Sequence, residues 1–209
     1  MFEIRSSTRA FEGRIAQVRI DSVEMPGGGV ADREVVEHDL AVAVLALDEH
    51  ERVTLIEQYR HPLGRRIWEL PAGLMDVPGE SALLAAQREL AEEVGLRADR
   101  WEVLVDITVS PGFTTEAVRV YLARELTEID RPGEIVHEEA DLRTVRVPLA
   151  DAVRAVLSGD IVNGAAVSGI LATELVLRTG VTPRSDTAWT SGPALEAHPR
   201  PDLGRDLRW

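Results

Sequence analysis

The sequence predicts an α/β sandwich. Three observations predict it. Apolar runs of strand length recur between residues 40 and 147, one unbroken helical stretch lies among them between two glycines, and two further helical stretches close the folded part. Strands, a helix, more strands and closing helices is the order expected when helices cover the faces of a sheet.

Taken in order, residues 12–22 and 33–36 are short extended segments on either side of the turn Pro26-Gly27-Gly28-Gly29. Residues 40–47 are almost purely apolar, a buried strand. Asp48-Glu49-His50-Glu51 forms a polar turn, and residues 53–59 return as the antiparallel partner. Residues 67–70 form a short strand entering a loop at Gly73. Residues 81–94 contain no helix breaker, and Gly95 supplies the C-terminal stop. Residues 101–110, 118–124 and 142–147 read as further strands, and residues 149–157 and 163–177 as helices. From residue 180 the composition shifts to Pro, Arg, Asp and Thr, an irregular tail that lies over the surface or crosses to a partner chain. The divisions are therefore a β-domain at 1–38, a main domain at 39–179 and a tail at 180–209.

Composition narrows the function. The 209 residues suffice for one well-buried domain with a small appendage. No apolar run approaches the ~18 residues of a membrane span. The opening MFEIRSSTRAFEGR lacks the apolar core of a secretion signal, so a cytoplasmic location is expected. The absence of cysteine excludes disulfides, zinc–thiolate sites and thiol nucleophiles. A net charge of −13 argues against nucleic acid or an anionic membrane as partner. An anionic small molecule remains compatible if its charge is neutralised locally. Metal ions do this, and so do arginines: the chain has no lysine, so every fixed side-chain cation, histidine aside, is arginine, whose planar fork suits phosphate.

The helix at 81–94 is the most informative element. At 3.6 residues per turn, Arg88, Glu89, Glu92 and Glu93 share one face, with Leu83, Leu90, Ala91 and Val94 on the opposite one. Three carboxylates on one short face repel one another unless a cation sits among them. Hard divalent cations such as Mg²⁺ take oxygen ligands and are completed by substrate phosphates. The helix therefore reads as the metal platform of a phosphate-ester enzyme.

Residues 73–96, GLMDVPGESALLAAQRELAEEVGL, resemble the Nudix box: a glycine, a glutamate, then Arg-Glu-apolar-x-Glu-Glu-x-Gly-apolar. Glu80 stands eight positions before Arg88, as in the box. Gly73 lies seven before Glu80 where the usual box has six, so the loop carries one extra residue. The resemblance implies a Nudix-type α/β/α sandwich with a mixed sheet flanked by helices, plus a small N-terminal β-domain, and Mg²⁺ as cofactor, with Mn²⁺ as a substitute. Direct coordination falls to Glu89, Glu93 and the carbonyl of Ala72, with Glu92 as an additional or outer ligand. Arg88 and Glu80 hold the loop to the helix, Gly73 is a position where a side chain would crowd the loop, and Gly95 ends the helix. A carboxylate outside the box serves as general base. The candidates are Glu138 and Glu139, in the acidic run before the strand at 142–147, and the offset from that strand favours Glu138. Ala140 stands where the family often has another acid.

Three features resemble the ADP-ribose pyrophosphatase branch. They are Glu57-Gln58-Tyr59-Arg60 followed by Trp68-Glu69-Leu70-Pro71-Ala72-Gly73, Pro111 fifteen residues after the end of the box at Leu96, and Phe11-Glu12-Gly13-Arg14 with its strand. By position Arg60 would contact the diphosphate and Glu69 would hydrogen-bond the substrate. Phe113 and Trp68 either pack near the substrate or belong to the core. The branch commonly packs its N-terminal domain on the other subunit, so a homodimer with exchanged N-terminal domains is expected. The expected reaction is hydrolysis of ADP-ribose to AMP and ribose 5-phosphate. ADP-glucose and GDP-mannose are alternative substrates, and a non-catalytic ADP-ribose sensor is the alternative of another class. Such sensors usually carry a winged-helix extension, for which the tail has neither length nor pattern. The isomerase activity known on this fold relies on a cysteine that is absent here.

Overall fold

The computed structural model describes residues 2–132, 141–186 and Trp189. Glu138, Glu139 and most of the tail expected at 180–209 lie outside these residues.

Three strands, β1 (Glu3–Glu12), β2 (Ala16–Glu24) and β3 (Val30–His38), form an antiparallel N-terminal sheet in that order. β1 is not marked by the sequence pattern. Every residue of it is exposed, so it lacks the in-and-out alternation that marks a half-buried strand. Its ladder to β2 and cross-strand ion pairs such as Arg5 with Glu24 hold it instead. The β2–β3 turn uses Gly28 and Gly29 at φ of 88° and 85°, values that side chains resist.

The rest of the chain runs β4 (Ala41–Ala46), β5 (Arg52–Arg60), β6 (Arg65–Glu69), β7 (Ala72–Leu74), α1 (Ala82–Val94), β8 (Leu96–Thr108), β9 (Ala117–Glu128), β10 (Arg143–Pro148), α2 (Leu149–Ser158) and α3 (Gly164–Thr179). One sheet has the order β7-β4-β9-β8, with β4 and β9 parallel and the other pairs antiparallel. A second, antiparallel sheet has the order β10-β5-β6. The mixed-sheet α/β architecture with a strand-rich N-terminus is as expected.

The hairpin expected between residues 40–47 and 53–59 does not form. β4 and β5 belong to different sheets and touch through a single bridge, Leu47 to Val53. The Asp48 turn is present, its Oδ1 accepting from the backbone N–H of His50 and Arg52 at 3.0 and 2.8 Å. Beyond it the strands splay, because β4 gives its two edges to β7 and β9 while β5 gives its own to β6 and β10. A purely apolar run reports burial on both faces, not which strand lies alongside.

β4 shows how the layers divide. Ala43, Leu45 and Leu47 enter a core completed by α2, α3 and the second sheet, whereas Val42, Val44 and Ala46 enter one completed by α1. This is period-2 alternation with both faces dry. Ser81 caps α1 by accepting from the Leu84 N–H at 3.3 Å, and Gly95 ends it at φ 64°. The buried stripe of α1 is Ala82, Ala85, Ala86, Leu90 and Glu93. This corrects the expected division of faces: Glu93 lies on the buried stripe, one turn beyond Leu90, while Leu83, Ala91 and Val94 are only partly covered. No helix among the described residues is long and apolar enough to cross a membrane.

Candidate active site

The box residues converge where α1 crosses the edge strand β7. Immediately before it, Leu70 and Pro71 lead the chain from β6, and the Pro71 carbonyl accepts from Val44 N–H at 2.8 Å, tying β7 to β4. Gly73 then pairs with Val42 of β4, so its backbone is ordinary strand. Glycine is required for another reason. A Cβ built there would lie inside the Glu89 carboxylate, with even the farther oxygen, Oε2, only 2.6 Å away. The Glu89 carboxylate thus occupies the space that a side chain at residue 73 would fill.

Arg88 holds the loop to the helix. Its Nε and Nη2 donate to the two oxygens of Glu80, both at 3.1 Å, and Nη2 also reaches the Leu74 carbonyl at 3.3 Å. Its Nη1 donates to Glu89 at 2.5 Å and to Glu92 at 3.2 Å. The two-point bond to Glu80 chiefly, with Glu89 beside it, raises the Arg88 pKa and keeps the cation fixed.

Glu93 is 6% exposed, and its Oε2 accepts from the Ala72 N–H at 2.8 Å. Burial pushes its pKa up to about 8; the Ala72 bond works against this and the neighbouring Glu89 and Glu69 carboxylates add to it. Burial also raises Glu89, against the pull of Arg88. Among the described residues no three acidic or histidine side chains already form a metal cage. Glu89 and Glu93 nonetheless suit a divalent cation. They are hard oxygen donors, both pressed toward their neutral form by burial, and Glu89 sits in a space that only a glycine leaves open.

Arg60 and Glu69 stand across the β5–β6 pairing from this group. Arg60 donates Nε to Oε1 at 2.7 Å and Nη2 to Oε2 at 2.5 Å, a two-point pair on a carboxylate that is 2% exposed. Both Glu69 oxygens are thereby taken by Arg60. The charges of Arg60 and Glu69 both act on Glu93, so the pair adjoins the box carboxylates. Trp68, left open by the sequence, packs against the core on the α2–α3 side.

Pro111 and Phe113 lie elsewhere, in the turn after β8. That turn is stitched to β3: Val36 N–H donates to the Phe113 carbonyl at 2.7 Å, and Thr115 N–H to the Val36 carbonyl at 3.0 Å. Both residues line a cavity of about 400 Å³ with Arg33, Glu34, Leu40 and Trp189, and Phe113 is exposed. Leu40 links this cavity to the box, because its carbonyl accepts from Met75 N–H at 2.8 Å. Sequence reasoning assigns no functional role to Arg33, Glu34 or Trp189: the first two fall in the short extended segment at 33–36 and Trp189 in the irregular tail, and none belongs to a chemical motif.

The NUDIX domain model matches residues 37–163, and the nucleoside diphosphate sugar hydrolase N-terminal domain model matches residues 2–36. An ADP-ribose pyrophosphatase of Mycobacterium tuberculosis is 52% identical over 193 residues, covering 92% of this chain and 93% of that protein. One from Bacillus subtilis is 36% identical over 151 residues, 72% of this chain and 80% of its own length. A crystal structure of an ADP compounds hydrolase has the same fold, with a TM-score of 0.76 at 24% identity over 86% of this chain and 95% of that one. The Gly73 cradle, the Arg88 staple and the paired carboxylates thus stand in a matching domain: the chain belongs to the Nudix hydrolase family.

Proposed function

We propose that this protein hydrolyses the diphosphate of ADP-ribose to AMP and ribose 5-phosphate, using Mg²⁺ held by Glu89, Glu93 and the Ala72 carbonyl, in the cytoplasm and as a homodimer. The observation that carries the chemistry is the Glu89–Glu93 pair: Glu93 is buried, burial raises the pKa of both carboxyls, and Glu89 fills the space left open at Gly73. The choice of substrate is supported by relatives that bear the name ADP-ribose pyrophosphatase.

When bound, the divalent ion would activate water and neutralise charge on the diphosphate oxygens. The chain's own residues do the rest. Arg88 holds Glu89 and Glu92 at the loop and keeps them from swinging apart. Glu69 fixes the guanidinium of Arg60, so an incoming diphosphate meets an oriented cation rather than a mobile one. Glu138 or Glu139 would accept the proton of the attacking water; both lie outside the described residues. The homodimer is supported by the N-terminal sheet, which leaves Phe2, Ile4, Phe11 and Ile15 exposed.

Product analysis tests the substrate. With Mg²⁺ and equal concentrations of ADP-ribose, ADP-glucose, GDP-mannose and diadenosine tetraphosphate, ADP-ribose should be turned over with the highest kcat/KM, giving AMP and ribose 5-phosphate. A clear preference for another member of the panel would replace the substrate, and turnover of none would favour a binding protein.

A further inference from the structure

Away from the box, two arginines face each other across paired strands. Arg100 of β8 and Arg124 of β9 stand directly opposite in the antiparallel register, so both side chains leave the same face of the sheet. That face is the one covered by α3, since Leu122, two residues before Arg124, belongs to the core on that side. Like charges in directly opposed positions repel. Glu102 answers only one of them: its Oε1 accepts from Arg100 Nη2 at 3.1 Å. Arg124 forms no hydrogen bond or ion pair among the described residues, and its Nε is buried without an acceptor. The other oxygen of Glu102, Oε2, is buried without a donor.

The three side chains line one cavity of about 240 Å³, bordered by Val176, Leu177 and Gly180 at the end of α3. Arg178 in the last turn of α3 offsets the negative end of that helix, so two guanidinium groups against one carboxylate leave the cavity positive. An orphaned guanidinium N–H calls for an oxyanion, and an orphaned carboxylate oxygen calls for a donor. A phosphate that retains a proton satisfies both. Its bare oxygens accept from the guanidinium groups, and its P–OH donates to Glu102 Oε2. Sulfate carries no proton at neutral pH and would set an oxygen lone pair against that carboxylate. The cavity is smaller than those that enclose drug-sized ligands, which restricts any organic group on the phosphate to a small one.

We propose that Arg100, Arg124 and Glu102 form a second phosphate site, which takes hydrogen phosphate or a small phosphate monoester. It is separate from the box: β8 is one edge of the sheet β7-β4-β9-β8, and β7, which carries Gly73, is the other. It does not depend on which nucleotide sugar the box cleaves.

The test is isothermal titration calorimetry in EDTA at constant ionic strength. Inorganic phosphate, ribose 5-phosphate and sulfate are titrated into the full-length protein and into Arg124→Gln and Glu102→Gln. Wild type should bind phosphate about tenfold or more tightly than sulfate, and Arg124→Gln should weaken phosphate by about tenfold or more, the scale of one charge-assisted hydrogen bond. Glu102→Gln, whose amide can donate, should lose the preference for phosphate over sulfate. Without ligand, Arg124→Gln should keep the wild-type Tm or exceed it, because it removes a like-charge pair; Arg100→Gln takes its place should it fail to fold. Ribose 5-phosphate bound through Arg124 at least as tightly as phosphate would identify a monoester as the ligand, and binding of phosphate alone would identify the free ion. No phosphate binding by wild type, equal binding by Arg124→Gln, or equal affinity of wild type for sulfate would overturn the proposal.

Discussion

Replacing Gly73 by alanine separates the fold of this protein from its chemistry. The backbone at residue 73 is ordinary strand, without the positive φ that alanine would resist, and alanine narrows the unfolded ensemble, worth about 0.4–1 kcal/mol in favour of folding. The methyl group, however, would fall within the Glu89 carboxylate, so the carboxylate must leave. Leaving breaks its 2.5 Å bond from Arg88, a charge-assisted hydrogen bond worth about 1.5 kcal/mol at a partly exposed site. The gain offsets only part of the loss. A net loss near 1 kcal/mol lowers Tm by roughly 2–4 °C in a protein of this size. Activity should respond very differently, because Glu89 is the proposed metal ligand, and misplacing such a group by about 1 Å costs on the order of 10²-fold in kcat/KM. The assay is kcat/KM on ADP-ribose across a Mg²⁺ titration beside thermal melts, with Gly27→Ala as control, since a Cβ there meets nothing within 4 Å. Normal turnover and normal Mg²⁺ dependence in Gly73→Ala would refute the cradle.

Glu93 gives a pH prediction whose sign follows from burial. Burial pushes its pKa up to about 8, above the ordinary 4.5. Stability from this group is therefore complete below about pH 4.5 and lost as pH rises through about 8, by up to roughly 5 kcal/mol at about 1.4 kcal/mol per pH unit. In EDTA the Tm of wild type should fall relative to Glu93→Gln from pH 5.5 to 8.5, and Mg²⁺ should restore most at the alkaline end; parallel curves would contradict this. Arg60→Lys removes the fork on Glu69 and should raise KM about tenfold with little loss of fold, whereas Arg60→Ala, leaving a 2%-exposed carboxylate without its guanidinium, should also lower stability by about 2 kcal/mol. Unchanged KM in both would remove Arg60 from the site. Charges on the N-terminal sheet, Ile4→Glu with Phe11→Glu, should shift the protein from dimer to monomer in analytical ultracentrifugation; an unaltered dimer would place the interface elsewhere.

The helix and its caps were legible because their signals are local. Ser81 and Gly95 mark its ends, and Arg88, Glu89, Glu92 and Glu93 recur at fixed offsets. The partner of β4 was not legible, since the run from residue 40 to 47 is apolar on both sides and carries no register information. The depth of Glu93 is carried by spacing rather than by residue type: it stands three residues beyond Leu90 and seven beyond Ala86, which places it on the buried stripe, whereas its charge groups it with Arg88, Glu89 and Glu92. β1 was hidden because its faces are equally exposed. The cavity at Phe113 joins β3, the turn after β8 and the C-terminal segment, elements separated by tens of residues, and no spacing rule brings Arg33, Phe113 and Trp189 together.

The central claim is that ADP-ribose is cleaved at a divalent cation seated on Glu89 and Glu93. The most direct measurement follows AMP and ribose 5-phosphate released from ADP-ribose by wild type and Glu93→Gln, each with Mg²⁺ or with EDTA. Release by wild type with Mg²⁺, abolished by EDTA and reduced by orders of magnitude in a folded Glu93→Gln protein, is the predicted result. Equal release in EDTA, or near-normal turnover by Glu93→Gln, would contradict it.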